Sequence, residues 1–224
     1  MKIINKKTTL ILLFFFVVVS YSFAMFTKDK DGNEYWYDDE NGKIGYIKTA
    51  DGIEQWFDEN EKVVHAKGAN GGEHWYDKNG QPIHSIMTSG EEFWRNSNGE
   101  LVYFKDRDGT EQWFDDNGKV VHAKMVNGVE QWYDENGKLI HAKLPNGSES
   151  WFNENGETIH HKQANGTESW YDDQGKLLHL RDEYGAECWY DKNEKPVRSI
   201  EANGDEKWYD KNGNIIHTKP VNKY

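Results

Sequence analysis

From Gly32 to the C-terminus the apolar residues come in short bursts, none of them long enough for a buried helix. "EQWYD" at 130–134, "KLIHAK" at 138–143 and "SWF" at 150–152 are representative, with Asn-Gly pairs on either side. Trp, Tyr, Phe, Val and Ile fill these bursts, which is the composition of strands. The Asn-Gly and Asp-Gly pairs between them supply the positive φ of tight turns. Nowhere after residue 24 do apolar residues recur at helical spacing over a helical length. The pattern predicts an all-β chain, an elongated antiparallel meander of about twenty short strands.

The bursts are periodic. All ten tryptophans lie on one grid, Trp36, Trp56, Trp75, Trp94, Trp113, Trp132, Trp151, Trp170, Trp189 and Trp208, spaced by twenty residues once and by nineteen thereafter. A Glu stands two positions before each Trp and a Gly four positions before it. Tyr or Phe follows the Trp in nine copies, and Arg95 is the exception. The unit reads G-x-E-x-W-Y-D-x-N-G-K-L-I-H-x-K-x-x-N, which is two strands and two turns. Such self-similarity indicates stacked hairpins, each marginal alone and stabilised by its neighbours. The chain divides into a leader over 1–24, a lead-in over 25–31, ten tandem hairpin repeats over 32–219 and a tail over 220–224, in a single-layer or solenoid-like array. The copies around Trp94 and Trp189 depart most from the unit: Tyr103 and Arg198 replace the histidine, and Glu194 replaces a turn glycine.

Register follows from turn type. A type I turn with a glycine bulge at D-x-N-G sets Trp132 opposite Ile140 and Tyr133 opposite Leu139. If the second turn is a two-residue Asn-Gly turn, Ala142 faces Trp151 and all tryptophans share one face. If it repeats the first type, His141 faces Trp151 and successive tryptophans alternate faces. A uniform stack favours the two-residue turn.

The leader changes the picture of location. "MKIINKK" carries Lys2, Lys6 and Lys7, the apolar run "LILLFFFVVVSY" follows, and Ser22 and Ala24 precede the expected cut. This is the layout of a signal peptide with an N-terminal helix, cleaved after Ala24. It predicts export to the periplasm or the cell exterior, with retention as an N-terminal anchor as the alternative. Without the three leader lysines, 24 basic residues face 39 acidic ones, a formal charge of −15. That surface repels nucleic acid and anionic lipid. Cys188 is the only cysteine, so no disulfide forms within the chain.

Three columns carry candidate chemistry. His65, His84, His122, His141, His160, His179 and His217 recur at one position of the unit. Neighbouring copies would lie two strand spacings apart, roughly 9–10 Å, too far to share one zinc. No metal site is assigned on this basis; His122, His141, His160 and His179 are the weak candidates for divalent metal, and half-buried cross-strand packing is the leading reading. Trp56, Trp75, Trp113, Trp132, Trp151 and Trp170, with Tyr76, Tyr133 and Tyr171, are the candidate binding residues, since aromatic faces suit apolar surfaces and sugar rings. Packing as the only core of a thin sheet is their alternative role. The glutamates pair across strands with Lys67, Lys105, Lys124, Lys143, Lys162 and Lys219, exposed pairs worth about 0–1 kcal/mol each. "DKDGNE" at 29–34 and "DRDGTE" at 106–111 miss the EF-hand spacing and read as turns. No nucleophile or carboxylate pair stands apart from the columns, so neither catalysis nor a cofactor is expected.

The Y-D-x-N-G-x-L core of "WYDENGKLIHAKLPNG" resembles the YD repeats of the RHS family, bacterial secreted or surface proteins whose hairpin strips form shells around toxin cargo. "G-x-E-x-W-Y-D-x-N-G-K" is similar to bacterial MORN-type repeats, single-layer hairpin stacks that act as interaction scaffolds. A weaker likeness is to choline- and glucan-binding wall repeats. The resemblance implies an exported, non-enzymatic scaffold for protein–protein interaction at the bacterial envelope or outside the cell, associated with a toxin or immunity-like. A cell-wall or glycan-binding module using the Trp/Tyr stripe is the second expectation, and metal binding along the histidines the third.

Overall fold

A computed structural model describes residues 23–221, and these form one open antiparallel sheet of 21 strands with no helix. β1 (Phe23–Lys28) pairs with β2 (Glu34–Asp38), and the meander continues strand by strand to β20 (Glu206–Tyr209) and β21 (Ile215–Lys219). Strand contacts run between sequence neighbours, so the sheet has no covering layer among the described residues. The expected signal helix lies outside the described residues. β1 crosses the boundary between leader and lead-in, so the meander starts before Gly32.

Apart from the longer loop after Asp38, the two turns of each repeat share one geometry, so the second is not the two-residue Asn-Gly turn favoured from the sequence. In the first, Asp134 N donates to Lys138 O at 2.9 Å and Gly137 N to Asp134 O at 2.9 Å. In the second, Leu144 N donates to Ser148 O at 2.8 Å and Gly147 N to Leu144 O at 2.9 Å. Both are three-residue loops closed by a left-handed residue, with φ of 80° at Gly137 and 87° at Gly147. Asp134 Oδ1 also accepts Asn136 N at 2.8 Å and Lys138 N at 2.9 Å. These backbone bonds, led by that from Lys138, hold the Asp134 carboxyl below the usual carboxylate range. Lys138 Nζ then donates to Glu154 O of the next turn at 2.9 Å. Lys43, Lys62, Lys119, Lys176 and Lys195 make the equivalent bond, lacing the turns along that border of the sheet.

The register corrects the sequence expectation at one residue per hairpin. Between β12 (Glu130–Tyr133) and β13 (Leu139–Lys143), Tyr133 faces Leu139 as expected, but Trp132 faces His141 rather than Ile140. Ile140 is the extra residue of a bulge. Across to β14 (Glu149–Phe152), His141, not Ala142, faces Trp151. Repetition of one turn type alone would send successive tryptophans to opposite faces. The bulge restores the parity, so every Trp lies on one face despite an odd period. The first interval is twenty residues because the loop from Asp38 to Lys43 holds four.

A single layer leaves little interior. Ala123, 3% exposed, is the only buried hydrophobic residue among those described. Strand residues are otherwise mostly half-buried, shielded by cross-strand neighbours on their own face.

Candidate functional site

Strand alternation sorts the side chains onto two faces. One face carries the tryptophans, the histidines, and the Glu and Lys columns. The other carries the Tyr/Phe that follow each Trp, together with residues such as Gln131 and Ala142.

On the first face one planar group per strand builds a continuous column. It opens with Phe26, Trp36, Tyr46 and Trp56, tilted against one another at 4.8–4.9 Å. It continues with His65 between Trp56 and Trp75, at 4.3 and 4.4 Å and nearly parallel. The longest uninterrupted stretch alternates Trp and His from Trp113 to Trp189 at 4.4–4.7 Å. Tyr103 meets Trp113 edge-on at 5.2 Å. Arg198 lies 4.8 Å from the Trp189 ring centre and 5.8 Å from that of Trp208. The two degenerate copies thus keep a planar group in the column.

From His65 to His179 each histidine of the column also reaches the glutamate eight residues on. His65–Glu73, His84–Glu92, His141–Glu149, His160–Glu168 and His179–Glu187 are hydrogen-bonded through Nε2 at 2.8–3.0 Å. His122 Nε2 stands 3.3 Å from Glu130 but out of line for a hydrogen bond. Arg198 Nη2 donates to Glu206 at 2.7 Å. At Tyr46 and Tyr103 burial, together with the nearby Glu54 and Glu111 carboxylates, raises both phenol pKa values. So the position tolerates His, Tyr or Arg, three planar donors. Burial lowers the pKa of His65, His84, His122 and His160, against the pull of the paired carboxylates. The unit's lysines add charge pairs, Lys67–Glu73 at 3.2 Å among them.

This geometry divides the nine candidate binding residues. Trp56, Trp75, Trp113, Trp132, Trp151 and Trp170 each have a ring on both sides along the column, tilted at Trp56 and edge-on at Trp113 on one side. Tyr76, Tyr133 and Tyr171 lie on the opposite face, each opposite Pro82, Leu139 or Leu177. The two sets do not form one stripe. Of the metal candidates, His141, His160 and His179 each bond one carboxylate, His122 lies beside one, and a Trp ring separates successive histidines. No group of three metal-ligating side chains occurs among the described residues.

The bulges expose a surface that sequence reasoning placed elsewhere. Val64, Ile83, Val102, Val121, Ile140, Ile159, Leu178, Val197 and Ile216 all occupy the bulge position. Instead of packing opposite Trp, they are displaced from the ladder, and four are exposed, Ile140 at 41%, Leu178 at 41%, Val197 at 40% and Ile216 at 66%, while the other five are half-buried. On the Tyr/Phe face, the copy carrying Arg95 forms an open hollow of about 360 Å3 with Tyr76, Phe93 and Met87.

Three segments, residues 107–122, 126–141 and 202–222, match a family model described as "MORN repeat variant", which supports a repeat similar to the MORN type. No curated protein matches the chain. Among solved structures, the TCP10 domain of Danio rerio CPAP in complex with a peptide of Danio rerio STIL is similar over 88% of this chain and 99% of that one, at 11% identity and a TM-score of 0.40. An alternansucrase in complex with isomaltononaose matches 85% of this chain and 16% of its own, at 21% identity and a TM-score of 0.26. The TcdB2-TccC3-Cdc42 structure matches 78% and 13%, at 12% identity and a TM-score of 0.17.

Proposed function

We propose that the chain is a non-enzymatic scaffold for protein–protein interaction, exported by its leader and working at the bacterial envelope or outside the cell. One observation carries this reading: a single-layer sheet bearing nine aliphatic residues at its bulges, several of them open to solvent along its length. Exposed apolar rows mark protein interaction surfaces, and a repeat array offers the same contact many times over. The rings flanking the tryptophans weigh against the glycan alternative. Association with a toxin, or an immunity-like role, rests on the resemblance to YD repeats. The test is capture of partners from envelope extract by the leader-free chain, run beside a chain carrying Ile140→Glu and Leu178→Glu. Capture by the first and its loss in the second, with unchanged circular dichroism, is expected. Equal capture by both chains, or binding to glycans alone, overturns the reading.

A further inference from the structure

The two faces of the sheet differ in charge. On the Trp face every repeat carries a Glu, and a Lys or Arg stands opposite it in eight of the ten, Lys48, Lys124 and Lys143 among them. The Tyr/Phe face has four strand positions per repeat, filled in one copy by Gln131, Tyr133, Leu139 and Ala142. Of the forty such positions only Arg95 and Lys207 hold a Lys, Arg, Asp or Glu, so the acidic excess of the chain lies on the other face and in the turns. An antiparallel sheet ordinarily packs one face and solvates the other. This distribution marks the Tyr/Phe face as the one suited to being covered.

The polar groups of that face already have partners. The Tyr133 hydroxyl donates to Gln131 Oε1 at 2.9 Å, and Ser199 Oγ and the Tyr209 hydroxyl share a bond of 2.9 Å. His74 Nδ1 lies 3.0 Å from Ser85 Oγ, and His161 Nδ1 2.9 Å from Ser150 Oγ. Lys207 Nζ donates to Glu201 Oε1 at 2.8 Å, and Arg95 Nη1 to Gly99 O at 3.4 Å. Covering a group that has its partner costs far less than covering a bare one. At about 4.8 Å per strand and about 3.4 Å per residue, the 21 strands present a face of about 1,500 Å2. A complex of standard size needs about 800 Å2 per partner.

Two arguments select the cover. A leader-free chain of formal charge −15 resists self-association through any charged surface, and this is the surface from which charge is missing. Its rings also recur once per hairpin, about every 9–10 Å. A sheet of the same period and twist keeps ring against gap along the whole length, and a second copy has both by identity. We propose that two chains pack by their Tyr/Phe faces into a two-layer sandwich, with a two-fold axis between the sheets and the Trp faces outward. This goes beyond the scaffold reading above and does not depend on it.

Sedimentation equilibrium of the leader-free chain from about 0.1 to about 100 µM should give the mass of two chains at the upper end. A chain with Gln55→Glu, Gln112→Glu and Gln131→Glu keeps side-chain size and the acceptor for Tyr133, and sets like charges on the covered face. It should associate at least about a hundredfold more weakly, with unchanged circular dichroism. Lys48→Gln, Lys124→Gln and Lys143→Gln change the net charge equally on the other face and should leave the mass at two chains. A mixture of labelled and unlabelled unaltered chains needs no substitution: nuclear Overhauser contacts between chains should join Tyr133 or Tyr171 to methyl groups of the Tyr/Phe face. The inference is overturned by a single-chain mass throughout, by equal effects of the two triple variants, or by contacts between chains confined to Trp-face residues. A single-chain mass with partners still captured from extract refutes the sandwich and leaves the scaffold reading standing. The mass of two chains with no partner captured does the reverse.

Discussion

Replacing His160 by alanine removes one ring from the middle of the longest Trp–His run. Its ring lies 4.4 Å from that of Trp151 at 18° and 4.6 Å from that of Trp170 at 8°. Aromatic pairs of this kind contribute about 0.5–1.5 kcal/mol each, so about 1–3 kcal/mol is lost from stacking. The bond to Glu168 at 3.0 Å adds about 1 kcal/mol once its partial exposure to water is allowed for. The sum is about 2–4 kcal/mol, within the range for a residue that leaves a gap between two large neighbours. His160→Phe keeps both ring contacts and loses the donor, so it should cost about 1 kcal/mol. Urea unfolding followed by tryptophan emission measures both, with exchange of the Glu168–Tyr171 amides as the local readout, since a repeat array can open piecewise. Equal destabilisation by the two variants would refute ring stacking as the main source. A cost for His160→Ala below about 0.5 kcal/mol would refute the column's structural role.

Other outcomes follow from the same geometry. Burial lowers the pKa of His65, His84, His122 and His160 below the ordinary 6.5, so the unfolded chain takes up protons first as pH falls. Their contribution is complete above 6.5 and is lost as the pH drops from there towards the folded-state values; urea midpoints between pH 8 and 5 should decline below 6.5, and a flat profile contradicts this. Gly147 has φ of 87° and open space where a Cβ would stand, so Gly147→Ala should cost about 1–2 kcal/mol of conformational strain alone, read from the thermal midpoint. Glu61 and Glu194 hold φ of 60° and 59° at turn positions where other repeats carry glycine; Glu194→Gly should stabilise by about 0.5–1 kcal/mol, and a loss of stability would contradict the strain argument.

The hairpins, their number and the places of their turns were legible because each is written in local chemistry, but the second turn is a three-residue loop and not the two-residue Asn-Gly turn favoured from the sequence. Asp134 and Gly137 encode one turn through an Asx bond and a left-handed φ, and such signals need no distant partner. The register was not legible from turn type, because nothing in Ile140 itself announces a bulge. Parity held the missing information: an odd period with all tryptophans on one face demands one irregularity per cycle. β1 was also encoded, since Phe26 and Lys28 stand to Trp36 and Glu34 as His122 and Lys124 stand to Trp132 and Glu130. The His–Glu bond had a signal too, a constant spacing of eight residues that persists where Tyr46, Tyr103 and Arg198 replace the histidine. Pairing Glu only with Lys concealed it. The binding candidates could not be divided between faces without the sheet, because Trp132 and Tyr133 are adjacent in sequence and opposite in space.

The central claim is that each of the six column histidines from His65 to His179 sits between two indoles on one face of an open sheet. Nuclear Overhauser contacts in a chain with labelled His and Trp test it directly. The account predicts that the ring protons of His141 contact both Trp132 and Trp151 and are shifted upfield by the two indoles. Contacts from the Ala142 methyl to Trp151, with His141 free of indole contacts, would contradict it.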